Sequence, residues 1–486
     1  MINNLISDTI KYGLGKVVLK FFSILIIPII AKNFPPDVFG EINIITTFTG
    51  LFLGIAVLGL DSAIGYYFYH GENEFKKDYL GTSFIIRMLF SISLFLIFFL
   101  FAKYLSGTHF LLKNSEKYLL LILGAAVIPF DNCMSYFVDL TRFLLKPIIY
   151  NIITISKVIL YYILIIIFLL NNLTVEKIFL SMLFSSIIPA FFLFFFYKKL
   201  MNFRINFYCL KKLLKYGLPL VPISIMYFFM SSVNRFILNA YTSLENTGIF
   251  SMMNSIASIF LLLTSSIQIA WAPYSMIIAK RDDAKIIFSK IITLSLVFLV
   301  PLAFLFWSVS DIAILLFSKP IYLRGENTII LLVIQHILHL LYSFVAIGLT
   351  LNEKTIYITI GYTIASIITI LTSFPLCKYF GVFGASLSSC IGYLISTFYI
   401  AIKSQQFYPI PYNKKFLFVY ISILLIILFC SLLLPNYNII YNFIFRFIIT
   451  FIFLIIPFFA KIISINDIKY YFFNIVHSNK THNKIL

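Results

Sequence analysis

Hydrophobic residues in this chain come in long blocks. Runs of mainly apolar residues recur from end to end, each near the length of about 20 residues that a helix needs to cross a hydrocarbon layer about 30 Å thick. Fourteen can be drawn, over 10–31, 39–60, 80–102, 118–140, 147–170, 177–197, 216–239, 246–270, 287–307, 327–350, 355–376, 382–402, 416–434 and 441–462. The connections are short, and none is long enough to fold as a domain of its own. In lipid an unclosed segment must satisfy its own backbone, which a helix does and an isolated strand does not. The pattern therefore predicts an all-α integral membrane protein with about 14 transmembrane helices.

Composition agrees. Of 486 residues, 61% are hydrophobic and 11% charged, against about half and about a quarter in an ordinary soluble domain. The net charge of +19 would suggest nucleic acid in a soluble chain. Here it is read as the basic bias of cytoplasmic loops, and no nucleic-acid partner is expected. With the N-terminus inside, 23 Lys and Arg fall on inner segments, 8 on outer ones and six within spans. That asymmetry predicts N-in and C-in topology in the bacterial inner (cytoplasmic) membrane. The stretch MINNLISDTIKYGLGKVVLKFF lacks a signal-peptide layout, so the first span is expected to be retained. The five Cys show no CxxC spacing and read as reduced packing residues. Trp271 and Trp307 read as interfacial anchors.

A short motif divides the chain in two. KYGL begins at Lys11 and again at Lys215, in each case where basic sequence gives way to a span. Each copy is followed by a span, a short outer turn, a glycine (Gly40, Gly248) and a helix with a polar stripe. Lysine and glycine are 29 residues apart in the first copy and 33 in the second, a difference of about one helical turn. The repeat predicts two parallel-repeat six-helix lobes over 1–197 and 216–402, a basic cytoplasmic linker over 198–215, and two additional helices with a cytoplasmic tail over 403–486.

Two stretches carry a family resemblance. LKKLLKYGLPLVPISIMYFFMSSVNRFIL, followed by LENTGIFSMMNSIASI, resembles the middle of Wzx-type polysaccharide (O-antigen/capsule) flippases. NFPPDVFGEINIITTFTGLFLGIAVLGLDSAIGYYFYH resembles the first hairpin of the same family, part of the multidrug/oligosaccharidyl-lipid/polysaccharide, MATE-like exporter superfamily. The likeness is good over 11–70 and 210–275 and weak after 350. It implies a V-shaped pair of six-helix lobes working by alternating access. Its substrate would be an undecaprenyl-pyrophosphate-linked oligosaccharide repeat unit, exported for O-antigen, capsule or other surface polysaccharide. A polysaccharide polymerase and chain-length regulator would be its partners, beside membrane lipid and the polyprenyl-pyrophosphate-linked glycan itself. A monomer is expected.

Charges within spans cost roughly 2.5–3.5 kcal/mol on insertion scales, so each needs a reason. Lys16 and Lys20 lie four apart on span 1, Arg87 on span 3, Lys157 near the middle of span 5, and Arg235 toward the outer end of span 7. Either they snorkel and pair, or they line a cationic cavity for a pyrophosphate headgroup, which Arg and Lys are suited to bind. Asp61, Asp131 and Asp139 face them as possible ion-coupling carboxylates, or as their partners, Asp139 with Arg142 at i+3 for example. On span 2, Asn43, Thr47, Gly50, Gly54 and Asp61 make a small polar stripe suited to helix packing or to cavity lining. His336 and His339 lack the further ligands of a metal site and read as core.

No phosphate-binding GxxxxGK[ST], HExxH or GxSxG is present. The chain is therefore expected to be a transporter and not an enzyme, with no cofactor, driven by H+ or Na+ coupling, membrane potential or the substrate gradient. Three rivals fit less well. A peptidoglycan lipid-precursor flippase matches in span count and basicity, but its motifs fit less closely. A multidrug cation antiporter would have twelve spans and an acidic cavity. A membrane polysaccharide polymerase would need a large outer loop.

Overall fold

The computed structural model describes residues 25–413 and 439–459 apart from single positions, with a few more between 15 and 22. Lys16, Lys20, the first KYGL and the thirteenth expected span lie outside the described residues. Residues 25–33 are helical. They are followed by α1 (Pro36–Ala56), α2 (Leu60–His70), α3 (Lys76–Ser106), α4 (Tyr118–Phe143), α5 (Pro147–Leu170) and α6 (Val175–Tyr197). A linker helix α7 (Phe207–Gly217) leads to α8 (Val221–Tyr241), α9 (Leu244–Ile278), α10 (Ala284–Ser308), the short α11 (Ser310–Phe317), α12 (Thr328–Val345), α13 (Ile347–Leu351), α14 (Ile356–Phe407) and α15 (Ile439–Phe459).

Nine helices among the described residues are long and apolar enough to cross a membrane. Their outward sides carry bare apolar side chains, such as Leu100 at 75% and Leu170 at 82% exposure, which only lipid accommodates over so wide a surface. The chain is a multi-pass membrane protein with an all-α fold. The expected eleventh and twelfth spans run together as α14, broken sharply at Gly381 (φ 53°, ψ −127°). The second span is shorter than expected. It ends at Ala56, and Leu58 (φ 55°) and Gly59 (φ 65°) turn the chain into α2. A left-handed leucine is costly, so the bend must be held by its surroundings.

What holds it is the second KYGL. Asn206 caps α7 by accepting from the amides of Tyr208 and Cys209. Cys209 and Leu213 of α7 are buried in the first-lobe core. At the end of α7 a Cβ on Gly59 would lie 2.2 Å from the Gly217 carbonyl oxygen, and Tyr216 stacks on Tyr66 at 5.0 Å. On the polar side of α7, Tyr208 and Glu72 hold the Lys212 ammonium above its usual range. The linker thus belongs to the surface of the first lobe, and α8 departs from it.

α1 packs on α8 and α9, and so joins the first half of the chain to the second. At its outer end the repeat-related glycines face each other. A Cβ on Gly40 would lie 2.1 Å from the Leu244 carbonyl oxygen, and one on Gly248 would lie 1.7 Å from that of Pro36. Each glycine admits the backbone four residues before the other, as a two-fold-related contact requires. The loop after α3 adds to the seal: Lys113 Nζ donates to the carbonyls of Asn239 and Thr242, and Asn239 Nδ2 to those of His109 and Leu111. Each lobe also carries an outer ion pair joining the start of its second long helix to the approach to its fourth, Glu41 with Lys117 and Glu245 with Arg324. Farther in, an added Cβ on Gly50 or Gly54 would meet nothing within 4 Å. The stripe on α1 therefore does two things: it packs at Gly40 and borders open space at Gly50 and Gly54. The crossing at Gly40 and Gly248 is closed.

The sixth intramembrane cation is Arg446 of α15, 2% exposed. It donates to Asp311 (2.7 Å), Glu326 (3.2 Å) and Asn327 (3.2 Å), and its guanidinium lies 4.3 Å from the Trp307 ring. This cluster ties α15 to α10 and the segment after it. Trp307 is 1% exposed, so it is a packed platform for Arg446 and not the interfacial anchor expected of it. Trp271, at 9%, is packed as well.

Two predictions follow from these contacts. With Arg446→Met, Asp311 and Glu326 remain buried without their cation. Breaking a buried pair costs about 3–5 kcal/mol, so the melting midpoint of the purified protein in detergent should fall by several degrees. With Gly248→Val the crossing with α1 cannot close. A Gly50→Cys probe in a background free of native cysteines should then react with an impermeant maleimide added on the outer side; equal protection with and without Gly248→Val would contradict the seal.

Candidate functional site

Charged residues in the first lobe sort into two clusters. The deeper cluster is centred on Arg87 of α3, which is fully buried. Its Nε and Nη2 donate to Asn132 Oδ1 at 2.9 and 2.6 Å, and Nη2 also donates to Ser135 Oγ at 2.9 Å. Asp139 lies 3.9 Å from Nη1 and pairs in turn with Arg142 at 3.3 Å. Tyr136 presents its ring 5.3 Å from the guanidinium, and Asp61, at the start of α2, lies within electrostatic reach. The chain supplies these partners by helical spacing, since Asn132, Ser135, Tyr136 and Asp139 recur at three and four along one face of α4. Arg87 is therefore enclosed by protein.

The second cluster is open. Lys157 of α5 forms an ion pair with Asp131 of α4, and Ser186 of α6 donates to the same Asp131 Oδ1 at 2.9 Å. Both charged side chains keep some exposure, 29% for Lys157 and 19% for Asp131, because they face a cavity of about 280 Å³. Its walls come from four helices: Thr46, Thr49, Gly50 and Leu53 of α1, Val127 and Ile128 of α4, Val158 and Tyr161 of α5, and Met182 and Ser185 of α6. Gly50, which has open space beside it, forms part of the wall. The polar groups of the lining residues are the ion pair and five hydroxyls, of Thr46, Thr49, Tyr161, Ser185 and Ser186, in an otherwise apolar wall. Such a site can exchange one anionic partner of the lysine for another.

Arg235 lies on the other side of α1. Its Nη1 reaches Thr47 Oγ1 at 3.4 Å, and its Nε is buried without a hydrogen-bond partner among the described residues. Seven residues separate Thr47 from Gly40, about 10 Å along the helix, so this guanidinium sits at the seam just inside the closed crossing. Next to it, Asn234 locks α8 to both arms of α14. Its Nδ2 donates to the Ala385 carbonyl at 2.7 Å, and its Oδ1 accepts from Ser373 and Ser388.

Of the residues singled out from sequence, Lys157 and Asp131 come together in the cavity, Arg87, Asp139 and Asp61 gather in the packed cluster, and Arg235 stands apart from both. Asn132 and Ser186 escaped sequence reasoning because a neutral amide and a hydroxyl leave no trace in a count of charges. Arg446 was visible as a charge, but its acids lie in the outer segment 308–326, more than a hundred residues away.

The sequence matches, over residues 29–319, the model of a family described as polysaccharide biosynthesis protein. No curated protein matches it. Among solved structures, the lipid II flippase MurJ in an inward closed conformation superposes with a TM-score of 0.73 at 16% identity, over 93% of this chain and 99% of that one. An inward-facing multidrug resistance MATE family transporter of the MOP superfamily gives 0.60 at 13% identity, over 82% and 94%. A MATE transporter of Vibrio cholerae gives 0.56 at 14%, over 83% and 96%. These likenesses establish a MurJ- and MATE-like fold for the chain.

The two clusters should respond differently to loss of their cations. Arg87→Met removes the centre of a buried network and should cost about 3–5 kcal/mol, read as a lower yield and melting midpoint of the membrane-extracted protein. Lys157→Met, beside a cavity that solvent can enter, should leave the midpoint within a few degrees of the parent. Equal losses for both would show that the Lys157 pair is as structural as that of Arg87.

Proposed function

The chain belongs to the polysaccharide biosynthesis protein family, and from that premise we propose that it is a flippase moving an undecaprenyl-pyrophosphate-linked oligosaccharide across the inner membrane. The observation that carries this reading is the Lys157 cavity, lined by Gly50 of the helix whose Gly40 packs on Gly248; with that crossing on the outer face, the cavity would be reached from inside. A cation beside a space reached from the inner side suits an anionic headgroup loaded from the cytoplasm. At about 280 Å³ the cavity lies just below the range of ligand pockets, about 300–1,000 Å³. It takes a headgroup, while the glycan occupies the wider space between the lobes and the polyprenyl tail stays in lipid.

The cycle requires two states. In this one, substrate enters from inside and its diphosphate meets Lys157, with Arg235 at the seam and Lys16 and Lys20 of the first span as further candidates. Separation of Gly40 from Gly248, with closure on the inner side, would present the same site outward. Delivery would be to a polysaccharide polymerase and chain-length regulator, with both termini of a monomeric carrier in the cytoplasm. No step needs a covalent intermediate. The drive would come from H+ or Na+ coupling through Asp131, Asp139 or Asp61, or from the potential acting on an anionic load.

A second reading, a peptidoglycan lipid-precursor flippase, is favoured by one observation: the structure of the lipid II flippase spans 93% of this chain. One experiment separates the two. Deletion in the native host should abolish surface polysaccharide while growth continues, and the plasmid-borne parent should restore it. Lys157→Met and Arg235→Met should fail to restore it despite normal membrane levels. If deletion is instead lethal, with loss of cell-wall precursor export, the second reading stands.

A further inference from the structure

The ion pair in the first-lobe cavity raises a difficulty for any anionic ligand. While Asp131 is ionised it neutralises Lys157, and the cavity offers no free positive charge. An incoming phosphoryl group would have to push the carboxylate aside and leave it beside a second anion in an apolar wall, an arrangement that burial heavily penalises. Among the described cavity-lining residues the titratable groups are Asp131 on α4 and Lys157 and Tyr161 on α5; α1 and α6 contribute hydroxyls only. Nothing described there can take over either charge.

Ser186 supplies a way out. Its Oγ lies 2.9 Å from Asp131 Oδ1 and 3.1 Å from the Met182 carbonyl oxygen. A hydroxyl has a single hydrogen and can donate to only one of them at a time. With Asp131 ionised, Ser186 donates to the carboxylate. With Asp131 protonated, the acid O–H can donate to Ser186 Oγ, and the serine hydrogen turns to Met182. Both protonation states of the carboxyl are thus hydrogen-bonded without movement of the backbone.

We propose that the first-lobe cavity is a proton-linked anion site, in which Lys157 exchanges the Asp131 carboxylate for a phosphoryl oxygen as Asp131 takes up one proton and turns to Ser186. The exchange balances. One proton enters with the anion and leaves with it, and the cavity carries one positive side chain only while the anion is bound. By reciprocity of linkage, the anion raises the proton affinity of Asp131 by the same factor by which the proton raises anion affinity. The inference rests on the flippase reading for its ligand and adds a direction to it. The proton travels outward with the headgroup, so an inward proton gradient opposes the loaded step, and the membrane potential or the substrate gradient must drive it.

The test uses the purified full-length protein in detergent and two probes, farnesyl pyrophosphate and inorganic pyrophosphate, titrated between pH 5.5 and 8.5. Asp131→Asn serves as reference, so that titration of the probe itself cancels in the ratio. Parent affinity relative to Asp131→Asn should fall up to tenfold per pH unit above the carboxyl's own titration, as one linked proton requires. Lys157→Met should lose at least tenfold at every pH, and Lys157→Arg should retain binding. Ser186→Ala should bind more weakly at low pH, where the acid lacks its acceptor. Binding of farnesyl pyrophosphate alone supports the inference with a lipid-linked ligand. Equal binding of inorganic pyrophosphate supports it with a free anion and removes support for the lipid-linked flippase reading. A parent that tracks Asp131→Asn across the pH range overturns the exchange even if the native host still exports polysaccharide, and so does undiminished binding to Lys157→Met.

Discussion

The arrangement depends on how closely two backbones approach each other. Gly40 and Gly248 occupy matching places in the two halves, and each leaves room for a carbonyl of the opposite helix. Any side chain at either position would hold α1 and α9 apart. α1 and α9 touch at this end, whereas farther along α1 Gly50 and Gly54 have open space beside them.

Charge placement follows the same geometry. Within the first lobe, where helices pack on all sides, Arg87 is enclosed by an amide, a hydroxyl, a ring and a carboxylate. Beside the cavity, Lys157 has one carboxylate partner and shares the wall with hydroxyl side chains. The same residue class thus serves as structural filler at one depth and as an exchangeable group at another, and the local dielectric sets the difference. Arg446 repeats the enclosed arrangement in the second lobe, where it binds an added helix to the six-helix body.

Sequence patterning went far on some points and stopped on others. Hydrophobic blocks long enough for lipid revealed the long helices between α1 and α14, because each must be apolar on nearly every side, and passed over short or amphipathic ones such as α7 and α11. The KYGL repeat pointed to two lobes, and its second copy proved to sit where the linker docks on the α2 bend. The pairing of Asp139 with Arg142 was visible as i+3 spacing. The pairing of Lys157 with Asp131 was not, since the two lie 26 residues apart on helices whose rotation no single-chain pattern records. Nor could periodicity decide whether the small residues of α1 pack or line a space. Gly40 does one and Gly50 the other, ten residues apart on the same helix. The break at Gly381 falls in the short connection drawn between the expected spans 355–376 and 382–402, although the helix runs up to it on both sides.

The glycine crossing has one more consequence, for how the two helices can part. A seal made of side chains can breathe and thread a file of waters along which protons hop. At Gly40 and Gly248 the surfaces in contact are main chain on both sides. Loosening this crossing therefore takes separation of the two helices, and no change of rotamer can do it.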